Sequence, residues 1–250
     1  MSGAPPTEES EGTLLGGRVK LRQPVTGYRV AIDPVFLAAA VPAVSGDRVL
    51  DVGCGVGAAA LCVAARIVGC RVTGIERDRE LVRLANDNIA LNGLANQVSV
   101  MAGDLLAPPP RLEPGGFDHV LANPPHLAAG TATPPPDLAR AAAHVEGEAD
   151  LAAWIRFLLA MTRPKGSLTV IHRADRLDAL LGQLSGRAGE IVVFPLWPGA
   201  GKSAKRVILR ARKGIAAPTR LAPGLILHEP DGRYTAAAEA VLREGAGLTL

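Results

Sequence analysis

From Arg48 onward, the apolar positions fall into short continuous runs separated by longer periodic ones. Arg48–Val52 is a compact apolar run that predicts a buried strand, and Ala58–Val68 predicts a helix. Arg71–Glu76 predicts the second strand. In Asp78–Asn92, Leu81, Leu84, Ala85, Asn88 and Ile89 recur at helical spacing until Gly93 stops the run. Val98–Ala102 and Phe117–Ala122 predict two further strands, followed by a helix over Leu151–Thr162 and a strand over Ser167–His172. A helix over Asp175–Leu184 and strands over Ile191–Leu196 and Arg206–Arg212 complete the pattern. Strands alternating with helices in this way predict an α/β fold with a doubly wound, mostly parallel, seven-stranded sheet and helices on both faces. Ligands of such sheets bind beyond the carboxyl ends of the strands, where Asp51, Glu76, Asp104 and Asn123 all fall.

The flanking segments read differently. Residues 1–14 are polar, with Pro5, Pro6 and three glutamates, and predict a disordered tail. Residues 15–47 predict a hairpin over 15–30 and then a helix, with Asp33 as N-cap and Pro34 at its first position. Residues 48–213 form the ligand-binding domain in this reading. Residues 214–250 supply a hairpin (Leu225–Leu227, turn at Pro230-Asp231-Gly232) and a last helix ending near Glu244, packed on the same domain. The long Ala/Pro/Thr segment 127–149 predicts a loop that contacts substrate or acts as a lid.

Composition narrows the function. The chain of 250 residues is 48% hydrophobic but only 3% aromatic, so its core is built mostly from Ala, Val, Leu and Ile, and the composition argues against an extended base-stacking platform. The N-terminus has no apolar signal region, and the apolar stretches fall short of the ~18 residues of a membrane span, which predicts a cytoplasmic protein. Cys54, Cys62 and Cys70 show no C-x-x-C spacing, which predicts free thiols and no metal site. Net charge is +3, yet no acid appears between Glu190 and Glu229, where Lys202, Lys205, Arg206, Arg210 and Arg212 cluster. In a strand, Arg206, Arg210 and Arg212 share one face with Ile208, while Val207, Leu209 and Ala211 take the other. That arrangement suits the phosphates of a polyanion such as RNA. The alternative is an edge strand guarded by charge.

Two motifs hold the chemistry. In Asp51-Val52-Gly53-Cys54-Gly55-Val56-Gly57 a strand runs into a glycine turn. Gly53, Gly55 and Ala58 also satisfy the dinucleotide pattern G-x-G-x-x-G/A, with Glu76 at about the expected ~20 residues, so a dinucleotide-dependent oxidoreductase is an alternative. Asp51 argues against it, because a carboxylate there would face a pyrophosphate, whereas it suits a ligand with an ammonium group. Glu76, followed by Arg77, offers two oxygens to a ribose diol, and Asp104 with the Leu105 amide can meet an adenine edge. Asn123-Pro124-Pro125-His126 closes the fourth strand. The Asn123 oxygen and a proline carbonyl can accept both N–H bonds of a planar amine, the prolines stiffen the corner, and His126 can stack on the target. No Ser/His/Asp or Cys/His triad is evident.

With both motifs in view, the chain resembles the class I S-adenosylmethionine-dependent methyltransferases, Rossmann-like enzymes, and among them the amino-methylating group with the N-P-P-aromatic signature. Gly27-Tyr28-Arg29-Val30-Ala31-Ile32-Asp33 and Lys205-Arg206-Val207-Ile208-Leu209 are similar to the bacterial tRNA (adenine-N6)-methyltransferase family, and the resemblance covers about residues 14–245. It implies S-adenosylmethionine as cofactor, bound by Asp51, Gly53, Cys54, Gly55, Gly57, Glu76, Arg77, Asp104, Leu105 and Asn123. It implies an acceptor held by Asn123, Pro124, Pro125 and His126, and tRNA as partner. His126 departs from the family, where tyrosine or phenylalanine is usual. N5-methylation of a protein glutamine uses the same chemistry and is the alternative, although residues 1–47 are short for the helical extension of that group. A cofactor-binding RNA scaffold without catalysis is a third reading, opposed by the intact Asn123-Pro124-Pro125.

Overall fold

The computed structural model describes residues 8–26, 29–125 and 149–250. Within them a hairpin comes first, β1 (Glu9–Leu14) against β2 (Val19–Pro24), followed by α1 (Asp33–Ala40). The alternating core is β3 (Arg48–Val52), α2 (Ala58–Arg66), β4 (Arg71–Glu76), α3 (Arg79–Leu91), β5 (Val98–Ala102) and β6 (Phe117–Ala122). It continues with α4 (Leu151–Met161), β7 (Thr162–Arg173), α5 (Leu177–Leu184), β8 (Ala188–Trp197) and β9 (Arg206–Lys213). Two short strands, β10 (Arg220–Leu221) and β11 (Leu225–Ile226), precede α6 (Ala236–Leu242).

The large sheet runs β10-β8-β9-β7-β6-β3-β4-β5, with β11 also on β8. It has nine strands, because β10 and β11 add two-residue strands to the seven expected ones. β9 is antiparallel to both β7 and β8, and the other pairings are parallel. Successive side chains of a strand point to opposite faces, and the apolar residues sort accordingly. Val49, Leu121, Ile171 and Ile208 join α1, α2 and α3 in one core cluster; Leu50, Val120, Val170 and Leu209 join α4 and α5 in the other. Both faces are therefore covered by helices, which is why these strands read as nearly continuous apolar runs.

Five expectations are corrected. Residues 9–14 are a strand rather than a disordered tail, and the hairpin spans 9–24 instead of 15–30. β1 is polar because it needs only one inward face, and β2 docks through α3. Asn88 accepts from the Arg22 amide at 2.7 Å and donates to the Arg22 carbonyl at 2.9 Å, and Asn92 does the same with Lys20 at 2.8 and 2.7 Å. Two asparagines one helical turn apart thus stand in for a neighbouring strand. Asp33 is the first residue of α1, not its cap, and its carboxylate goes elsewhere. β9 is an interior strand, so the edge-strand explanation of its charge does not hold. Near the C-terminus the expected hairpin is a single bridge between His228 and Tyr234, and Leu225–Ile226 pairs with β8 instead. Residues 1–7, Gly27, Tyr28, His126 and nearly all of the 127–149 loop lie outside the described residues.

Candidate active site

The sheet register levels the strand ends. Val52 pairs with Ile75 on one side and Ala122 on the other, so Gly53, Glu76 and Asn123 leave the sheet side by side. The amides of Gly53 and Cys54 both donate to the Ile75 carbonyl, at 2.8 and 3.0 Å, which folds the chain sharply over the end of β4. Gly53, Gly55 and Gly57 all take positive φ, the region open to glycine. At Gly53 a second constraint applies, since a Cβ there would sit 2.6 Å from the ring of Trp154 on α4. Trp154 thereby supports the turn from below, a role with no local sequence signal.

Asp51 is 2% exposed and its Oδ2 accepts from the Ala60 amide, 3.1 Å away in the first turn of α2. Burial pushes its carboxyl up to about 7, against the Ala60 hydrogen bond and with a further push from the charge of Glu76. A pyrophosphate would need this helix terminus, and here a carboxylate already occupies it. The dinucleotide alternative is therefore disfavoured on geometry. A cationic ligand group is what would favour the charged form of Asp51. Burial likewise raises the Cys54 thiol well above its ordinary value. Among the described residues, all three cysteines are free and buried.

Glu76 accepts from Gly55 through Oε2 and from Asp78 through Oε1, both at 3.0 Å. Each carboxylate oxygen has a second lone pair, so the group is oriented by backbone amides and still open to a diol. Asp104 Oδ1 accepts from the Leu106 amide at 2.8 Å, a turn cap, while Asp104 lines a groove with Arg77 and Asp78. Leu105 lies in that same turn. This groove lies beyond the ends of β4 and β5, and the cleft holding Asp51, Gly53 and Cys54 lies beyond β3 and β6. Glu76 stands between them on the sheet edge. The residues present fit S-adenosylmethionine: a buried acid beside the glycine turn for its ammonium, and an acid held by the Gly55 and Asp78 amides for its ribose.

Asn123, Pro124 and Pro125 line the cleft beside Asp51. The Asn123 Oδ1 is buried and has no hydrogen-bond partner among the described residues. The Pro125 carbonyl accepts from Nε2 of His172, the buried penultimate residue of β7, at 3.2 Å. Arg29, which also lines the cleft, lay within the Gly27–Asp33 motif but was given no role, and His172 did not stand out in the sequence. The placement of His172 at a strand end was the only available signal.

The basic segment divides. Arg206 opens β9 opposite Arg173 and Leu196, at the edge that carries the glycine turn, and lines the cleft with its Nε 2.8 Å from Asp33 Oδ2. Lys202 and Lys205, in the adjoining β8–β9 connection, are exposed. Arg212 pairs with Ser167 and Gly189 toward the opposite edge, ~20 Å along the strand from Arg206. Its guanidinium is held by the Lys165 carbonyl and Glu190, both at 3.0 Å. Arg210 donates to the Leu250 carbonyl at 2.8 Å, and burial lowers its basicity. The three arginines share a face as expected, but that face is covered by α1 and the C-terminal segment, so they form no common phosphate-binding row.

A Ser/His/Asp arrangement does exist. His119 Nδ1 is 2.7 Å from Ser167 Oγ and its Nε2 is 3.1 Å from Asp47 Oδ2. Ser167 is 4% exposed, and the group ties β6, β7 and the turn before β3 together at the edge away from the glycine turn. It is a structural latch. Among the described residues, no cluster of His, Cys, Asp and Glu could hold a metal, and no helix is long and apolar enough to cross a membrane.

Residues 30–140 match the methyltransferase small domain family. The chain is 29% identical over 214 residues to the tRNA1(Val) (adenine(37)-N6)-methyltransferase of Aeromonas hydrophila, covering 83% of this chain and 85% of that protein. It is 24% identical to the rRNA N(6)-adenosine-methyltransferase metl-5 of Caenorhabditis elegans, over 66% of this chain and 69% of that one. Among solved structures, a predicted O-methyltransferase from Agrobacterium tumefaciens superposes with a TM-score of 0.71 at 26% identity, covering 86% of this chain and 98% of that chain.

Proposed function

We propose that this protein, a class I S-adenosylmethionine-dependent methyltransferase, methylates the exocyclic N6 amino group of an adenine in tRNA. The observation that carries the reading is the open Asn123 Oδ1. A buried acceptor left unmade costs about 1–3 kcal/mol, and an acceptor amine entering the cleft would satisfy it.

S-adenosylmethionine supplies an electrophilic methyl group on its sulfonium. Asp51 accepts the ammonium of its methionine part over the turn of Gly53, Cys54, Gly55 and Gly57. Glu76 takes the ribose diol beside Arg77, and Asp104 and the Leu105 amide take the adenine edge. The N6 lone pair of adenine is delocalised into the ring and is a poor nucleophile. With Asn123 Oδ1 and the Pro124 carbonyl accepting its two N–H bonds, the nitrogen is drawn toward tetrahedral geometry and its lone pair turns to the methyl. Such orientation is worth several kcal/mol in favourable cases, up to about 7–11. For the RNA backbone, the exposed Lys202 and Lys205 are retained, whereas Arg206, Arg210 and Arg212 are engaged within the protein and are set aside. The relatives named for adenine N6 methylation of tRNA and rRNA support the choice of acceptor.

The test is methyl transfer to tRNA in vitro, with nucleoside mass spectrometry of the product. N6-methyladenosine formed by the wild type, and lost in Asn123→Ala with cofactor affinity within a few-fold, is the expected result. Methylation of a protein glutamine with none on tRNA would overturn it.

A further inference from the structure

β6 leaves the sheet at a point where it cannot be tied by its own backbone. Ala122 is the last residue of β6 in register with β7, opposite Val170. Beyond Asn123 the next two residues are prolines, and a proline has no N–H to donate to a neighbouring strand. The two prolines can therefore be tied by hydrogen bonds only through their carbonyls, which need a donor from outside the corner. His172 supplies one. It is 0% exposed, lies two residues beyond Val170 on β7, and reaches the Pro125 carbonyl through Nε2 at 3.2 Å.

We propose that His172 is a positioning residue for methyl transfer, holding the Pro125 carbonyl so that Asn123 Oδ1 and the Pro124 carbonyl face the acceptor amine in a fixed geometry. The inference rests on the amine-gripping role given to this corner above. Its physical basis is the small number of free torsions. Each proline ring locks φ near −65°, so the corner between Asn123 and the Pro125 carbonyl retains little freedom beyond the ψ angles of Pro124 and Pro125. Anchoring the Pro125 carbonyl restrains both at once, and with them the plane of the Pro124–Pro125 peptide whose oxygen accepts from the amine. An acceptor pair that must meet two N–H bonds together is sensitive to such a restraint, because a displacement on the order of 1 Å in a positioned group can lower a rate about 100-fold. The hydrogen bond also makes Nε2 the protonated ring nitrogen.

The experiment compares His172→Ala, His172→Phe, which keeps bulk but cannot donate, and His172→Gln, whose side-chain N–H₂ can. Two readouts are taken on each full-length protein. In methyl transfer to tRNA, Ala and Phe are expected to lower kcat by about 10-fold or more, while KM for tRNA and Kd for cofactor stay within about 3-fold and Gln recovers most of the loss. In the cofactor-free proteins, the Asn123 side-chain amide signal in ¹⁵N–¹H spectra is expected to broaden or shift in Ala and Phe and to return in Gln. The second readout needs no substrate, so a wild type that leaves tRNA unmethylated defeats the assigned function while the spectra still decide the tether. An unchanged Asn123 signal in Ala or Phe, or a wild-type kcat in either, overturns the proposal, as does an equal loss in Gln.

Discussion

Asp33 and Arg206 lie 173 positions apart in the chain and meet at 2.8 Å across the mouth of the cleft, joining the first residue of α1 to the first residue of β9. Both line the cleft that contains Asp51 and Asn123. Asp33 is nearly buried and Arg206 is about one-third exposed, so the pair is neither a screened surface contact nor a dry one. A double-mutant cycle of Asp33→Asn and Arg206→Gln, read by urea denaturation, is expected to give a coupling of about 1–3 kcal/mol. Additive losses would show that the two side chains do not depend on each other.

Asp51 gives a pH dependence of definite sign. Its folded value of about 7 lies above the ordinary 3.8, so between those limits the folded, cofactor-free protein binds more protons than the unfolded chain. The contribution of Asp51 to stability is fully present below about 4 and is lost as pH rises through about 7. An ammonium placed beside it favours the ionised form. Binding of S-adenosylmethionine is then expected to release a proton and to tighten as pH rises from about 6 to about 8, with the slope lost in Asp51→Asn. Calorimetry in buffers of different ionisation enthalpy measures both quantities, and pH-independent binding by the wild type would remove Asp51 from the ammonium site.

The latch of Ser167, His119 and Asp47 titrates in the opposite sense. Burial holds His119 below its ordinary 6.5, outweighing the hydrogen bond and charge of Asp47. The unfolded chain takes up a proton first, so the contribution of His119 is present above about 6.5 and is lost as pH falls through its lowered folded value. Thermal unfolding of the wild type and His119→Gln should show a Tm gap that narrows as the solution is acidified from about pH 7 to about pH 5. A constant gap would mean that His119 does not titrate with unfolding.

The division of the basic segment predicts different salt behaviour for its two halves. Lys202→Glu with Lys205→Glu is expected to weaken tRNA binding and to make log K less steep in log salt, by about 1 for each phosphate no longer neutralised. Arg210→Gln and Arg212→Gln should leave that slope unchanged and lower stability instead, since both guanidiniums bond within the protein. Equal slopes in the two sets would restore a continuous basic row along β9.

Much of the fold was legible because its signals are local. The runs at Arg48–Val52 and Arg71–Glu76 needed only apolar continuity, and α3 needed only helical spacing and Gly93. The glycine turn was equally legible, since positive φ is a property of single residues that the amino-acid type reports directly. So was Asn123-Pro124-Pro125, a rigid corner written in three consecutive residues. By contrast, whether β9 is an edge or an interior strand depends on pairings with β7 and β8, and no periodicity within β9 contains that information. The same holds for β1, whose polar composition read as disorder until Asn88 and Asn92 docked its partner on α3.

What the sequence by itself determined, then, was the order of elements and the chemical types placed at the strand ends. Only the tertiary structure decided which of those groups face one another: Arg206 with Asp33, His172 with Pro125, Ser167 with His119, and Asp51 with the start of α2. The physical reason is range. A backbone preference is set within a few residues, whereas a side-chain hydrogen bond to a group on another element exists only after the apolar faces of the sheet have been covered and its register fixed.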